Sequence, residues 1–434
     1  MIGNVPVVEI NRDNFSTFWP SILLAVRNSS FLALDVELSG LGDRKSLNAK
    51  SIDDRYKCLS EAASSRSILS LGLSCFTRFF DPAHSTTICT FKTQTYNFLT
   101  LCDDNFVIEP GAVKFLVDHG FDFNLQYSKG LSYYRGKIRK DENSNQLTFR
   151  GLFKEIVSIK KPIVFHNGIV DLIFLYANFI TDLPPNLPCF VADLAELFPC
   201  GVYDTKFLAD YCARYTASYL EYVFRKCQRE NEIEMKSDRM HIDIEFPIFT
   251  SNIEKWVEYA ACSVPKRREC GPENLCTVFS AHGWCKQGRK CQLSHDVDAI
   301  LDVEESKIEK KRAKKRRRRN GSEKSIIENE SISDQNIADS SSIDSAQNFK
   351  SLPLYTGAHR AGYDAFMTGF ALIFMTLKLN QWPYEKNDQI EFDVDSFKNK
   401  IALSGKEYPL FIQPSTFAKM SQNMQDFLKN LNWS

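Results

Sequence analysis

Apolar and polar positions fall into two rhythms along this chain. From Asp13 to Arg27 apolar groups recur at helical spacing, which predicts a helix leading into the run Phe31 to Leu38. That run is short and apolar and is closed by Ser39-Gly40, as a buried strand would be. Its period of two sets Phe31, Ala33, Asp35 and Glu37 on one face and Leu32, Leu34, Val36 and Leu38 on the other. A helix over 50–64 precedes strands at Ser67–Phe76 and Thr86–Phe98, expected to pair antiparallel through a tight turn near Asp81-Pro82. Further helices are predicted at Pro110–His119 and Leu152–Ile159. A buried strand at 162–167 then runs into a helix Ile169–Phe179, and Gly201–Lys206 runs into a helical Phe207–Lys226. Helices alternating with strands after the first three predict an α/β fold, a mixed sheet flanked by helices.

The pattern breaks near residue 265. A Cys/His-rich stretch occupies 270–295, Lys310 to Arg319 is cationic at every position but Ala313, and 321–350 holds too few apolar groups to fold alone. After Leu352 the pattern is globular again, with a helix over Gly362–Leu379, but the remainder has too few apolar strands to stand by itself. The expected organisation is one domain in two parts, 1–264 and 351–434, interrupted by a small metal module at 265–300 and a disordered linker at 301–350.

Composition adds boundaries rather than an answer. The 434 residues are 43% hydrophobic and 25% charged with no net charge, the profile of a soluble globular protein. No membrane span is expected, because the most apolar helical stretch, Ala365 to Leu377, is too short to cross a bilayer. The opening Met-Ile-Gly-Asn-Val-Pro is neither basic nor strongly apolar, so secretion is not expected. Cysteines such as Cys58, Cys75, Cys89, Cys189 and Cys212 stand singly in apolar segments, as reduced core thiols do, and imply a reducing compartment.

The candidate chemistry begins with Asp35 and Glu37. Two carboxylates on one face of a central strand, about 7 Å apart along it, repel each other and lose hydration unless a cation lies between them. Asp171 stands in the first turns of a helix leaving a buried strand, and Asp364 opens another helix with His359 in the loop before it. Each acid alone reads as a helix-terminus charge favoured by the macrodipole, or as a solvated side chain. Three separate segments each offering one make a shared divalent cation the stronger reading.

Asp35-Val-Glu37, Asp171 after His166-Asn167, and His359 followed by Asp364 resemble the DEDD exonuclease superfamily, in its histidine-using subgroup, whose fold is ribonuclease H-like. The flanking stretches Glu37–Ser46, Arg55-Tyr56, Arg66–Gly72, Tyr203–Lys206 and His359–Asp364 resemble the CAF-type deadenylases that include poly(A)-specific ribonuclease, and among them the nuclear branch with an inserted CCCH zinc finger. The resemblance implies that Asp35, Glu37 and Asp364 hold one Mg²⁺ or Mn²⁺, that Asp35 and Asp171 serve a second, and that His359 is the general base. It implies 3′-to-5′ release of 5′-mononucleotides from single-stranded, oligoadenylated RNA 3′ ends, those of small noncoding nuclear RNAs, in the nucleus and its Cajal bodies or nucleoli.

Cys276, Cys285, Cys291 and His295, separated by eight, five and three residues, match a CCCH zinc finger, three thiolates and an imidazole closing a tetrahedral Zn²⁺ shell. Cys270 is spare. Phe279 and Trp284 lie between the ligands, where a ring either stacks on an unpaired base or fills the finger's own core. The run Lys310 to Arg319 suits a nuclear import receptor, and it also binds polyanions unspecifically. Arg44, Lys45, Ser46 and Arg66 are either RNA-backbone contacts or a solvated face. Two rival readings are a catalytically silent RNA-binding adaptor that keeps the nuclease fold and finger, and a DNA or short-oligonucleotide exonuclease of the same superfamily.

Overall fold

The computed structural model describes residues 2–43, 47–79, 88–136, 147–263, 271–321, 360–379, 396–414 and 417–431. His359, the segment Arg44–Ser46 and the expected turn at Asp81-Pro82 lie outside the described residues.

Eleven strands form one sheet among the described residues: β1 (Asn4–Ile10), β2 (Phe31–Leu38), β3 (Ile68–Phe79), β4 (Ile88–Cys102), β5 (Leu131–Tyr133), β6 (Ile163–Phe165), β7 (Val202–Asp204), β8 (His241–Glu245), β9 (Val257–Ala261), β10 (Lys400–Ile401) and β11 (Leu410–Phe411). Their order is β11-β10-β7-β6-β2-β3-β4-β1-β9, with β5 and β8 added along the long β4. The three consecutive strands β2, β3 and β4 pair antiparallel, whereas β6 lies parallel to β2 and β7 parallel to β6. The sheet is therefore mixed. Parallel neighbours need helical crossovers, and the sequence supplies them with amphipathic segments after each apolar run.

The helices used below are α1 (Phe15–Asn28), α2 (Ile52–Ser65), α3 (Phe149–Ser158), α4 (Ile169–Leu175), α5 (Leu220–Lys236), α6 (Val297–Gly321), α7 (Ala361–Lys378) and α8 (Gln422–Asn430). The apolar faces of α1, α2, α3, α4 and α8, such as Phe15, Phe18, Ile22 and Val26 of α1 and Phe149, Leu152, Phe153 and Ile156 of α3, join one core cluster with the inner face of the sheet. Helix α7 is apolar nearly all round, and almost every side chain from Ala361 to Leu377 is buried where it packs on β2, β3, β4 and α5. None of the helices is long and apolar enough to cross a membrane among the described residues.

Two expectations were incomplete. The helical stretch expected over Phe207–Lys226 is interrupted: a π-helical turn at Leu208–Cys212 ends it, and α5 restarts at Leu220 and runs on to Lys236. Strands β1, β5, β8, β9, β10 and β11 were not anticipated.

The chain divides into two compact units. One comprises residues 1–264 and 356–434 together with 281–283, and the other 265–280 and 284–355. In the second, the segment read as linker begins as the 25-residue α6. Its first turns bury Val297, Ile300, Leu301 and Val303, and its Glu, Lys, Arg and Ala content favours a helix whose acidic start and cationic end suit the macrodipole.

Candidate active site

A row of residues in register across four strands carries the site. Asp35 on β2 is opposite Gly72 on β3, Gly72 is opposite Asn97 on β4, and Asn97 is opposite Glu9 on β1. Register partners share a face, so one surface of the sheet presents a carboxylate, a gap, an amide and a second carboxylate in line. The N-terminus of α7 is laid along that row. Arg360 pairs with Glu9 at 3.4 Å and with Glu258 of β9, and the Gly362 N–H donates to Asn97 Oδ1 at 3.2 Å. Asn97 in turn donates to Glu9 at 2.8 Å and accepts from Ser70 Oγ at 2.9 Å. At Gly72 a Cβ would stand 1.8 Å from the Ala361 carbonyl oxygen, so only glycine allows the helix to approach so closely.

That approach delivers Asp364, in the first turn of α7, to the carboxylates of β2. Oxygen atoms of Asp35, Glu37 and Asp364 all lie within 4.8 Å of one another. Asp171, in the first turn of α4, stands outside this trio but against it, its carboxylate accepting a hydrogen bond from the backbone N–H of Val36, the residue between Asp35 and Glu37. The four acids named from the sequence thus converge.

Their protonation reflects crowding without compensation. Asp364 is buried and the other three are partly buried, and among the described residues none of the four forms an ion pair. Loss of solvent raises Asp35 well above the carboxylate range, helped by the charges of Asp364, Asp171 and Glu37, and Glu37 rises for the same reasons. Burial pushes Asp171 up to about 7, and Asp364, which also faces Glu221 of α5, up to about 8. A cluster of hard oxygen donors that cannot all ionise unaided fits divalent Mg²⁺ or Mn²⁺.

Other sequence candidates fall elsewhere. Arg66 is committed to Glu109, Nε to Oε1 at 2.5 Å, and is not free to face a phosphate chain. His166 is wedged between Thr205 Oγ1 at 2.8 Å and the Ser218 carbonyl at 2.9 Å, and burial drops it to about 3, so it is neutral and structural. In the second unit the ligand atoms of Cys276, Cys285, Cys291 and His295 lie within 4.8 Å of one another. Nε2 of His295 is buried without a hydrogen-bond partner, and the Phe279 N–H bonds to the Cys276 sulfur and lowers that thiol's pKa. A tetrahedral soft ion suits this donor set. Phe279 is half-buried and stacks on the His295 ring, centroids 4.3 Å apart and planes 4° from parallel, while Trp284 is 51% exposed.

The family model described as CAF1 family ribonuclease matches residues 10–147 and 135–372. The chain belongs to the CAF1 ribonuclease family. Among curated proteins, this CAF1 family member is similar to the poly(A)-specific ribonuclease PARN of Xenopus laevis, 27% identical over 139 residues that make up 29% of this chain and 21% of that one. PARN of Homo sapiens matches with the same identity and shares, and an uncharacterized protein of Schizosaccharomyces pombe is 29% identical over 133 residues, 29% of this chain and 30% of the other. The matched stretch thus spans about a fifth of the PARN relatives' length. Among solved structures, that of S. pombe Pop2p in its Mg²⁺- and Mn²⁺-bound form aligns with TM-score 0.39 and 18% identity over 52% of this chain and 82% of that one. The RNase domain of yeast Pop2 aligns with TM-score 0.37 and 14% identity over 57% of this chain and 78% of its own.

Residues that sequence reasoning passed over also shape the site of this CAF1 family member. Glu9, Gly72 and Asn97 seat α7, Glu221 faces Asp364, and Asp204 organises the turn that leads to Asp171. Gly72 and Asp204 stood in stretches already singled out, Arg66–Gly72 and Tyr203–Lys206. Glu9 and Asn97 become visible through strand register, and Glu221 through the packing of α5 against α7.

Proposed function

We propose that this protein is a metal-dependent 3′-to-5′ exoribonuclease that shortens adenylated RNA tails. The observation carrying this is the convergence of Asp35, Glu37 and Asp364, with Asp171 beside them, into one partly buried and uncompensated acidic cluster in a member of a ribonuclease family. Asp35, Glu37 and Asp364 would hold one Mg²⁺ or Mn²⁺, and Asp35 with Asp171 a second. When bound, such cations acidify water and offset the negative charge that grows on a phosphodiester during in-line displacement. The protein's own part is to fix four carboxylates on β2, α4 and α7, so that the RNA 3′ end is oriented at the end of the sheet row. His359 takes the proton of the attacking water on a ring nitrogen, a task suited to a group titrating near neutrality. The product is a 5′-mononucleotide.

The second unit supports a nuclear setting in the same reading. Cys276, Cys285, Cys291 and His295 would hold one structural Zn²⁺, and Trp284 offers an exposed ring for RNA. The cationic run from Lys310 would engage an import receptor, and the substrates would be small noncoding nuclear RNAs met in Cajal bodies or nucleoli.

The test is incubation of the purified protein with 5′-labelled RNAs ending in oligo(A), oligo(U) or oligo(C), with Mg²⁺ or with EDTA. Stepwise shortening that favours oligo(A), needs Mg²⁺ and falls by at least about a thousandfold in Asp35→Ala is the expected result. Equal decay by that variant, or no decay by the wild-type protein, would overturn the proposal, the second outcome leaving an RNA-binding adaptor. Competition with DNA of equal sequence separates an exoribonuclease from a DNA exonuclease.

A further inference from the structure

Residues 396–414 lie beyond the stretch that matches the CAF1 family, yet they pair with β7 and reach the carboxylate of Asp204. Strand β10 extends the sheet beside β7, with Lys400 opposite Tyr203. Asn399 locks this pairing, its N–H donating to the Val202 carbonyl at 2.7 Å and its Oδ1 accepting from the Val202 N–H at 2.9 Å. The next bond reaches further inward. The Ala402 N–H donates to Oδ2 of Asp204 at 3.0 Å.

Asp204, only 1% exposed, is the junction. Its Oδ1 accepts from the backbone N–H of Asn167 at 2.9 Å and of Lys206 at 2.8 Å, and its Oδ2 accepts from Gly168 at 3.3 Å. Asn167 and Gly168 form the turn between β6 and α4. Asn167 has a φ of 62°, and a Cβ on Gly168 would stand 2.3 Å from Phe165 Cβ, so this turn has one narrow conformation and needs fixed acceptors to hold it. Asp171 lies three residues on. One carboxylate therefore shares its two oxygens between the turn that aims Asp171 and the C-terminal segment. The C-terminal part of the chain is anchored again where Arg55 Nη1 donates to the Ser404 carbonyl at 2.8 Å and where Ser421, capping α8, donates to Asp193 from N at 2.7 Å and from Oγ at 2.6 Å.

We propose that the segment 396–404 is a working part of the metal site: through the Ala402 N–H it holds Asp204, a positioning residue, and Asp204 holds the turn that places Asp171. This rests on the reading of Asp171 as a metal ligand. Backbone N–H donors shared by one buried acid transmit position because none can move without leaving another unpaired.

The experiment uses the full chain and titrates it with Mn²⁺, following free Mn²⁺ by electron paramagnetic resonance alongside thermal melting without metal. Asp204→Asn, which cannot accept all these bonds, and Ala402→Pro, which removes the donor, are each expected to weaken Mn²⁺ binding by about 10–100-fold, the usual effect of losing a group that orients a ligand. Ser421→Ala, which loosens the C-terminal part of the chain far from Asp204, is expected to lower the melting temperature and leave Mn²⁺ binding unchanged. Asp204→Asn keeps the backbone intact and carries the test if Ala402→Pro does not fold. Mn²⁺ binding within about twofold of wild type in both site variants would overturn the proposal and reduce the segment to a stabilising role. A wild-type protein that binds no Mn²⁺ would instead overturn the metal reading itself, and this inference with it.

Discussion

Asp364 has the least room of the four acids. Its carboxyl is held up to about 8 by burial first and by Glu221 second, against 3.8 for a free aspartate, so between pH 4 and 8 the folded protein keeps a proton that the unfolded chain has lost. Stability without metal must therefore fall as pH rises through that window. Asp364→Asn removes the effect: its melting temperature without metal should equal wild type near pH 4 and exceed it increasingly toward pH 8. Saturating Mg²⁺ should reverse the order, raising the wild-type melting temperature and leaving the variant where it was. Scanning calorimetry at several pH values checks both. The four acids were legible in the sequence through their combination, three separate segments each offering one in the order that resembles a known family, since each alone reads as an ordinary helix-terminus or surface charge. Glu9, Asn97 and Asp204 were not, since what they do depends on which distant group meets them, and no local pattern encodes that.

At the scale of elements, the decisive contact is α7 crossing β3 at Gly72. Gly72→Ala should destabilise the fold by about 1–3 kcal/mol and displace the first turn of α7, costing activity and Mg²⁺-induced stabilisation together. If denaturation shows wild-type stability, the close approach does not hold the helix. Helices and buried strands with clean periodicity were readable, α7 among them, because burial on one face or all round leaves a mark in the sequence. Strand β1 escaped notice because Pro6 argues against a strand interior; the fold accommodates it by placing Pro6 just before Val7, where pairing with β4 begins. Strand β9, with mostly exposed side chains in Val257–Ala261, lacks the apolar face that betrays a strand. The break after Leu208–Cys212 was hidden for the opposite reason: apolar spacing continues across it.

For the whole molecule, the two units should respond to different metals. Metal analysis of purified protein is expected to find about one Zn²⁺ per chain, lost in Cys291→Ser, because thiolate and imidazole donors select that ion. The Mg²⁺-dependent rise in melting temperature should survive this substitution, and its disappearance would show that the acidic cluster needs the finger. The break in hydrophobic patterning near residue 265 falls at the border between the two compact units. The helix α6 was not legible, because a run of like charges reads as solvated coil until its acidic, partly apolar start is seen to be buried.

The path of the chain through the sheet has one more consequence, concerning when the acidic cluster is completed. Asp35 leaves the ribosome early, but the helix bearing Asp364 follows roughly three hundred residues later, a delay on the order of 15–65 s at ordinary rates of synthesis. Throughout that interval a nascent copy carries an incomplete set of acids, and the cluster on β2, α4 and α7 cannot close until α7 has emerged.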